Sequence, residues 1–147
     1  MTTAPRRFWP YLIKTATILV GIALAVFFGW LFESCRAARA TCAAFVAAVR
    51  EDRLVDARTL VSPELEPSLE GSPDTEPARV LRRIRASKGS DLGTVQSGFK
   101  NDGFVPFACF DGGDETTRFW IVAAKDGGTW RVVDLRAVMP TICEGSP

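Results

Sequence analysis

The sequence predicts an α+β protein: an N-terminal transmembrane helix, then two or three helices packed on a curved antiparallel sheet of about four strands. Three observations carry that expectation. Residues Thr15–Phe32 (TATILVGIALAVFFGWLF) form an 18-residue run without a charge. The chain then shows helical spacing over 36–60 and again over 77–88, on either side of a proline-rich stretch. Beyond that point short apolar runs alternate with glycine-containing turns. Helices and strands are thus segregated along the chain, which is the signature of an α+β arrangement.

The first run approaches the length that a membrane demands, since about 20 residues at 1.5 Å each cross the hydrocarbon core. Phe8, Trp9, Tyr11, Leu12 and Ile13 extend it on the N-terminal side. Trp9 and Tyr11 stand where interfacial aromatics anchor one end, Trp30 stands at the other, and Lys14 is long enough to reach the headgroups. A buried core helix and a cleaved signal peptide are the alternatives to a membrane span. A buried core helix would need more surrounding protein than the remaining 115 residues offer. A cleaved signal peptide would use Ala38-Arg39-Ala40, but the apolar run exceeds the usual stretch of about 7–15 residues and ends well before that site. Arg6, Arg7 and Lys14 precede the run without an acid, whereas Glu33 accompanies Arg36, Arg39 and Arg50 after it. The balance of basic residues leans toward a cytoplasmic basic tail at 1–14, a span at 15–32, and a C-terminal domain outside the cytoplasm. The expectation is a single-pass protein of the cell membrane.

Residues 36–50 carry seven alanines, and Cys42, Phe45, Val46 and Val49 share one helical face. This helix either continues the apolar one or starts after a break at Glu33–Ser34, with Ser34 as its cap. The stripe shifts near Glu51–Arg53, so a second helix is expected from about Arg53 to Leu60, on Leu54, Ala57 and Val61, with Pro63 enforcing its stop. Residues 62–77 hold four prolines and five acids, and read as an acidic loop pinned by Leu65 and Leu69. Asp74 or Thr75 is placed to cap a third helix over 77–88, with Pro77 in its first turn, Val80, Leu81 and Ile84 on one face, and Gly89 after its end.

The strands are expected at 92–100, 104–110, 117–124 and 129–138. Asn101-Asp102-Gly103 is a hairpin signal, and Lys125-Asp126-Gly127-Gly128 is another. Pro106 suggests an edge strand or a bulge, because it has no N–H to donate. In the third strand Phe119, Ile121 and Ala123 point one way and Trp120, Val122 and Ala124 the other. Both faces are apolar, which implies a central strand with helices on one side and a partner or pocket on the other. In the fourth strand plain alternation puts Trp130, Val132 and Asp134 on one face, with Val133 and Leu135 opposite. Residues 139–147 read as a C-terminal tail.

Composition removes several chemistries. There is no histidine, so no Ser-His-Asp, Cys-His or histidine-metal site can be built. Net charge is +1, and the part after the apolar run is slightly acidic, which gives no footprint for nucleic acid. No catalytic residue, cofactor or metal site is assigned. Asp111, Asp114 and Glu115 offer carboxylates, but not at the spacing of a twelve-residue calcium loop. Asp134 is the one acid inside a confident strand. It either lines a pocket, together with Trp120 and Trp130, or faces water in a pair with Arg118 or Arg136. The basic face of residues 79–88 either meets anionic headgroups or is simply solvated.

Four cysteines are present. Cys35 and Cys42 would stand about 10 Å apart along a continuous helix, beyond disulfide reach. Cys109, in a strand, and Cys143, in the tail, are the better pair, and such a bond belongs to an oxidising compartment.

The segment Phe45-Val46-Ala47-Ala48-Val49-Arg50-Glu51-Asp52-Arg53-Leu54-Val55-Asp56-Ala57-Arg58-Thr59-Leu60 resembles the opening of small NTF2-like (cystatin-like) domains, including membrane-anchored bacterial ones. Phe119-Trp120-Ile121-Val122, the Lys-Asp-Gly-Gly turn and Thr129-Trp130-Arg131-Val132-Val133 are similar to their closing hairpin. The resemblance covers about residues 37–138 and implies a domain over 33–138 in which sheet and helices enclose a pocket. Enzymes of that family generally use a histidine or aspartate there; many other members bind ligands or assemble complexes. The layout, one span and a small α+β domain, is also similar to that of cytochrome oxidase assembly factors and translocase accessory subunits. The function expected is non-catalytic: a membrane-tethered domain for protein–protein interaction or small-ligand binding, working with the lipid bilayer and with a membrane-protein partner or a second copy. A structural subunit of a membrane complex and a small enzyme with an NTF2-like pocket are the alternatives.

Overall fold

A computed structural model describes residues 9–87, 91–100 and 105–143. The side chains of Trp9 and Tyr11, the turn at 101–103 and the expected terminator Gly89 lie outside the described residues. The chain divides into two compact units, Met1–Ser34 and Cys35–Pro147.

Helix α1 (Trp9–Arg50) runs through Glu33–Ser34 without a break. Nothing in that pair forces one: neither residue is Gly or Pro, and Leu31 before it and Arg36 and Ala37 after it favour helix. Its N-terminal part presents apolar side chains outward, among them Leu24, Phe28 and Phe32 at 50%, 62% and 75% exposed. None of the apolar window is buried within the described residues. By length and composition α1 is able to cross a membrane; Thr15–Phe32 alone rises about 27 Å. Lys14 and Trp30 are both exposed.

The second unit begins with the C-terminal part of α1, which buries Ala38, Cys42, Phe45, Val46 and Val49. Cys42, Phe45, Val46 and Val49 are the stripe expected from the spacing, and Ala38 extends it by one turn. The helix ends in a Schellman turn. Asp52 takes a left-handed conformation (φ 56°), its N–H donates to Val49 O at 3.3 Å, and Arg53 N–H donates to Ala48 O at 2.8 Å. These bonds satisfy carbonyls that the helix end would otherwise leave open. The bend expected at Glu51–Arg53 is this turn.

Helix α2 (Leu54–Thr59) is short and buries Ala57. After it the chain extends rather than merely stopping at Pro63: Val61 bridges in parallel to Val132, with Val132 N–H donating to Leu60 O and Ser62 N–H to Val132 O, both at 2.8 Å. The acidic loop is not wholly irregular, because α3 (Glu66–Leu69) forms within it. The buried Leu65 and Leu69 pin it, as expected. Helix α4 (Glu76–Ala86) starts after Thr75, with Pro77 in its first turn, and buries Val80, Leu81 and Ile84. Arg50 reaches its far end, donating to Ile84 O at 3.3 Å and Ser87 Oγ at 2.7 Å. A cation at a helix C-terminus is favourable to the local dipole.

Four antiparallel strands follow in chain order: β1 (Gly93–Lys100), β2 (Val105–Gly112), β3 (Phe119–Asp126) and β4 (Thr129–Arg136). Gly127 and Gly128 form the two-residue β3–β4 turn with φ 53° and 91°. Two successive positive angles match the right-handed twist of a hairpin, and glycine adopts them without steric cost. Strand β2 is interior, so the edge position inferred from Pro106 is corrected. Its ladder to β3 starts at Phe107, one residue later, and the missing donor therefore falls outside that register.

The helices cover one face of the sheet. Ala108, Phe110, Phe119, Ile121, Ala123, Val132 and Leu135 join Phe45, Val49 and Ile84 in one core. The fourth strand does not alternate simply. Val122 is opposite Asp134 and Ala123 is opposite Val132, so Val133 is the extra residue of a bulge. Two residues facing one partner reverse the inside–outside order beyond that point. Leu135, not Asp134, therefore follows Val132 into the core.

Candidate functional site

The face of the sheet away from the helices carries a second set of apolar side chains. Phe107 and Cys109 on β2 and Val122 on β3 make a cluster with Cys143, flanked by Ala124, Val133 and Met139. Its members come from strand positions of one parity: Phe107 is opposite Ala124, and Cys109 is opposite Val122. The bulge adds Val133 to the same side.

The residues after β4 cross this face. They hold a 3₁₀ turn, Thr141–Cys143, and a disulfide joins Cys143 to Cys109 with Sγ–Sγ 2.07 Å and Cα–Cα 5.9 Å. The pairing chosen from the sequence is the one formed. The tail expected at 139–147 is accordingly docked over Met139–Cys143 rather than free. With its amide oriented to suit its neighbours, Gln96 donates to Ile142 O at 3.1 Å and Cys143 O at 3.0 Å. Cys35 is half-buried and Cys42 buried, both as free thiols.

Beside this segment runs a groove of about 600 Å³, whose apolar lining is Val105, Phe107, Val122, Ala124, Val133 and Ile142. Lys125, Asp126, Asp134 and Arg136 share that lining. Its volume is within the range of about 300–1,000 Å³ typical of ligand sites. A second depression of about 450 Å³ shares Asp134, Arg136 and Ile142, and adds Glu76 and Val138–Thr141.

The charges here are tied to one another. Arg136 donates from Nε to Asp134 Oδ2 at 2.8 Å and from Nη1 to Glu76 Oε2 at 3.0 Å. Asp134 Oδ1 accepts the Leu135 N–H at 2.9 Å, and Glu76 Oε1 accepts the Ala137 N–H at 3.3 Å. The carboxylate of Asp134, followed by that of Glu76, raises the Arg136 guanidinium further above its ordinary value. Each pair is partly open to solvent, so each is worth no more than about 1 kcal/mol. What the network supplies is geometry: it fixes the end of β4 against α4. Arg83 does the same from the helix, donating through Nη1 to Arg118 O at 2.6 Å and to Ala137 O at 2.7 Å.

Of the three residues that the sequence nominated for a pocket, Asp134 lines the groove. Trp120 is half-buried on the same face of the sheet, opposite Arg136 and Asp111. Trp130 belongs to the helix-side core at 9% exposed, so the structure does not bring the three together. Val122 was signalled by the apolar second face of the third strand; Phe107 and Val133 were not signalled as pocket residues. Ile142 carried no signal of its own beyond its neighbour Cys143.

The acidic turn after β2 has a different occupation. Asp114 Oδ1 accepts from the N–H and the hydroxyl of both Thr116 and Thr117, at 2.8–2.9 Å. The Thr116 hydroxyl first, then the donors of Thr117, hold this carboxyl down at about 2. Its oxygen closes a turn.

Comparison of the chain with protein families, with curated proteins and with solved structures found no match.

Proposed function

We propose that this protein is a membrane-tethered, non-catalytic binding domain that holds an apolar ligand in the groove on the outer face of its sheet. The observation that carries the reading is the groove itself. A sheet whose second face is already apolar offers a concavity of about 600 Å³ walled by Phe107, Val122, Ala124 and Val133. Apolar surface exposed there is costly in water, at about 25 cal/mol per Å², and an occupant relieves that cost.

The tether rests on the outward-facing apolar length of α1. The placement of the domain outside the cytoplasm rests on the basic residues before the span and on the Cys109–Cys143 bond, which persists in oxidising compartments. The non-catalytic reading rests on the lack of histidine and on the pairing of Asp134 with Arg136. A carboxylate engaged by a guanidinium and a backbone N–H is poorly placed to act as a general base. Kinship with NTF2-like domains is proposed on the same footing: helices precede a meander and occupy one of its faces. A role as an accessory or assembly factor follows the layout alone.

The test uses full-length protein. Alkaline carbonate washing of membranes should leave the uncleaved chain in the pellet; its release would remove the tether. Native mass spectrometry after mild detergent extraction should show a bound mass that Ala124→Trp, which fills the groove, abolishes. A bare monomer for both proteins would overturn the binding reading.

A further inference from the structure

The last part of the chain that the structure describes is fastened in an uneven way. Up to Ala137 it is held by groups of the helix-side unit: Arg83 on the Ala137 carbonyl and Glu76 on its N–H. Val138 is then 71% exposed. Past it, the fasteners to the sheet include the Cys109–Cys143 bond, the two Gln96 amide bonds, the packing of Met139 against the outer cluster and Ile142 at the groove wall. Neither bridged cysteine belongs to the main core, which holds Cys42 instead. The two clusters lie on opposite faces of the sheet, so the outer one can open without loss of the inner one.

We propose that Cys109–Cys143 is a redox latch: a dithiol reductant frees the Met139–Cys143 strap and uncovers the outer face of the sheet. A thiolate of the reductant attacks Sγ of Cys143, and Cys109 leaves as a thiolate that takes up a proton. The second thiol of the reductant then resolves the mixed disulfide and releases Cys143 as a thiol. Two electrons and two protons pass to the protein, and the reductant leaves as a disulfide. Both sulfurs are buried, Cys109 at 0% and Cys143 at 2% exposed; Cys143 is the one attacked because the short strap that carries it can lift, whereas Cys109 is fixed within the β2 ladder.

Once the bond is cut, two amide bonds and the contacts of Met139 and Ile142 must hold five residues against the conformational entropy that they regain. The amide bonds hold the strap weakly, because water replaces them when it lifts. Freed, the strap withdraws Ile142 from the groove and exposes Phe107 and Val122. The latch goes beyond the binding reading and stands without it, because its test needs no ligand.

The experiment is thiol mapping on the full chain in detergent micelles. The protein is treated with dithiothreitol and then with a bulky maleimide, without denaturant, and modified cysteines are located by mass spectrometry. Cys109 and Cys143 should react at least about tenfold faster than Cys42, whose protection reports an intact core. Cys143→Ser should make Cys109 equally reactive with no reductant present. Resistance of the bond to dithiothreitol until denaturant is added would overturn the latch. So would Cys109 and Cys143 staying as protected as Cys42 after reduction, or all three thiols reacting together. A failed groove test with a successful thiol pattern would leave the latch standing and remove only the ligand.

Discussion

Replacing Leu135 by alanine, beside a parallel Val133→Ala replacement, tests the β4 bulge that places the groove. Leu135 is 1% exposed in the main core, whereas Val133 is half-buried on the outer face. Deleting a fully buried leucine side chain costs its transfer free energy and leaves a cavity, together about 3 kcal/mol. Deleting two methyls from a half-buried valine removes less contact and opens the site to solvent, for about 1 kcal/mol. Intrinsic strand propensity works the other way, because valine loses more than leucine on going to alanine. The expected order is therefore set by burial alone. For a folded unit of roughly 110 residues, 3 kcal/mol lowers Tm by about 10–15 °C and 1 kcal/mol by about 4–5 °C. Thermal and urea unfolding of the full chain in micelles, followed by tryptophan fluorescence, reads the difference. Equal costs, or a larger cost for Val133→Ala, would mean that β4 alternates regularly and that the bulge is wrong.

Two further outcomes are expected. Asp52→Gly should raise stability by about 1 kcal/mol, because the left-handed angle of the Schellman turn burdens any side chain; the exposed Asp52–Arg85 pair lost with it, 3.0 Å long, contributes little. A lower urea midpoint for this variant would contradict the turn. The Asp114 carboxyl should titrate at about 2, against 3.8 for the free group. Its native pKa is depressed, so its contribution to folding is complete above 3.8 and is lost as pH falls through 2. A carboxyl titration by NMR with its midpoint near 4 would show that the threonine donors do not hold it.

Much of the fold was legible because its signals are local. The charge-free run Thr15–Phe32 needs no partner to be recognised as apolar, and Cys42, Phe45, Val46 and Val49 share a face because a helix turns every 3.6 residues. The paired glycines at 127–128 meet a steric demand within two residues. The disulfide was legible by reach, since Cys35 and Cys42 lie too far apart along one helix.

The groove was not legible, for a physical reason. Val105 and Phe107, Val122 and Ala124, Val133, and Ile142 come from four stretches of chain that local periodicity never relates to one another. Which face Val133 and Asp134 take depends on where β4 slips against β3, a register set by burying Leu135 rather than by alternation. Likewise Leu60–Ser62 extends only because Val132 offers it a donor and an acceptor. Sequence alone determined the apolar helix and the order of helices before strands, and pointed to the cysteine pair that the docked tail then joins. The tertiary structure decided which apolar residues meet on the outer face, because contact between distant segments is governed by packing and register, and neither is written in any single segment.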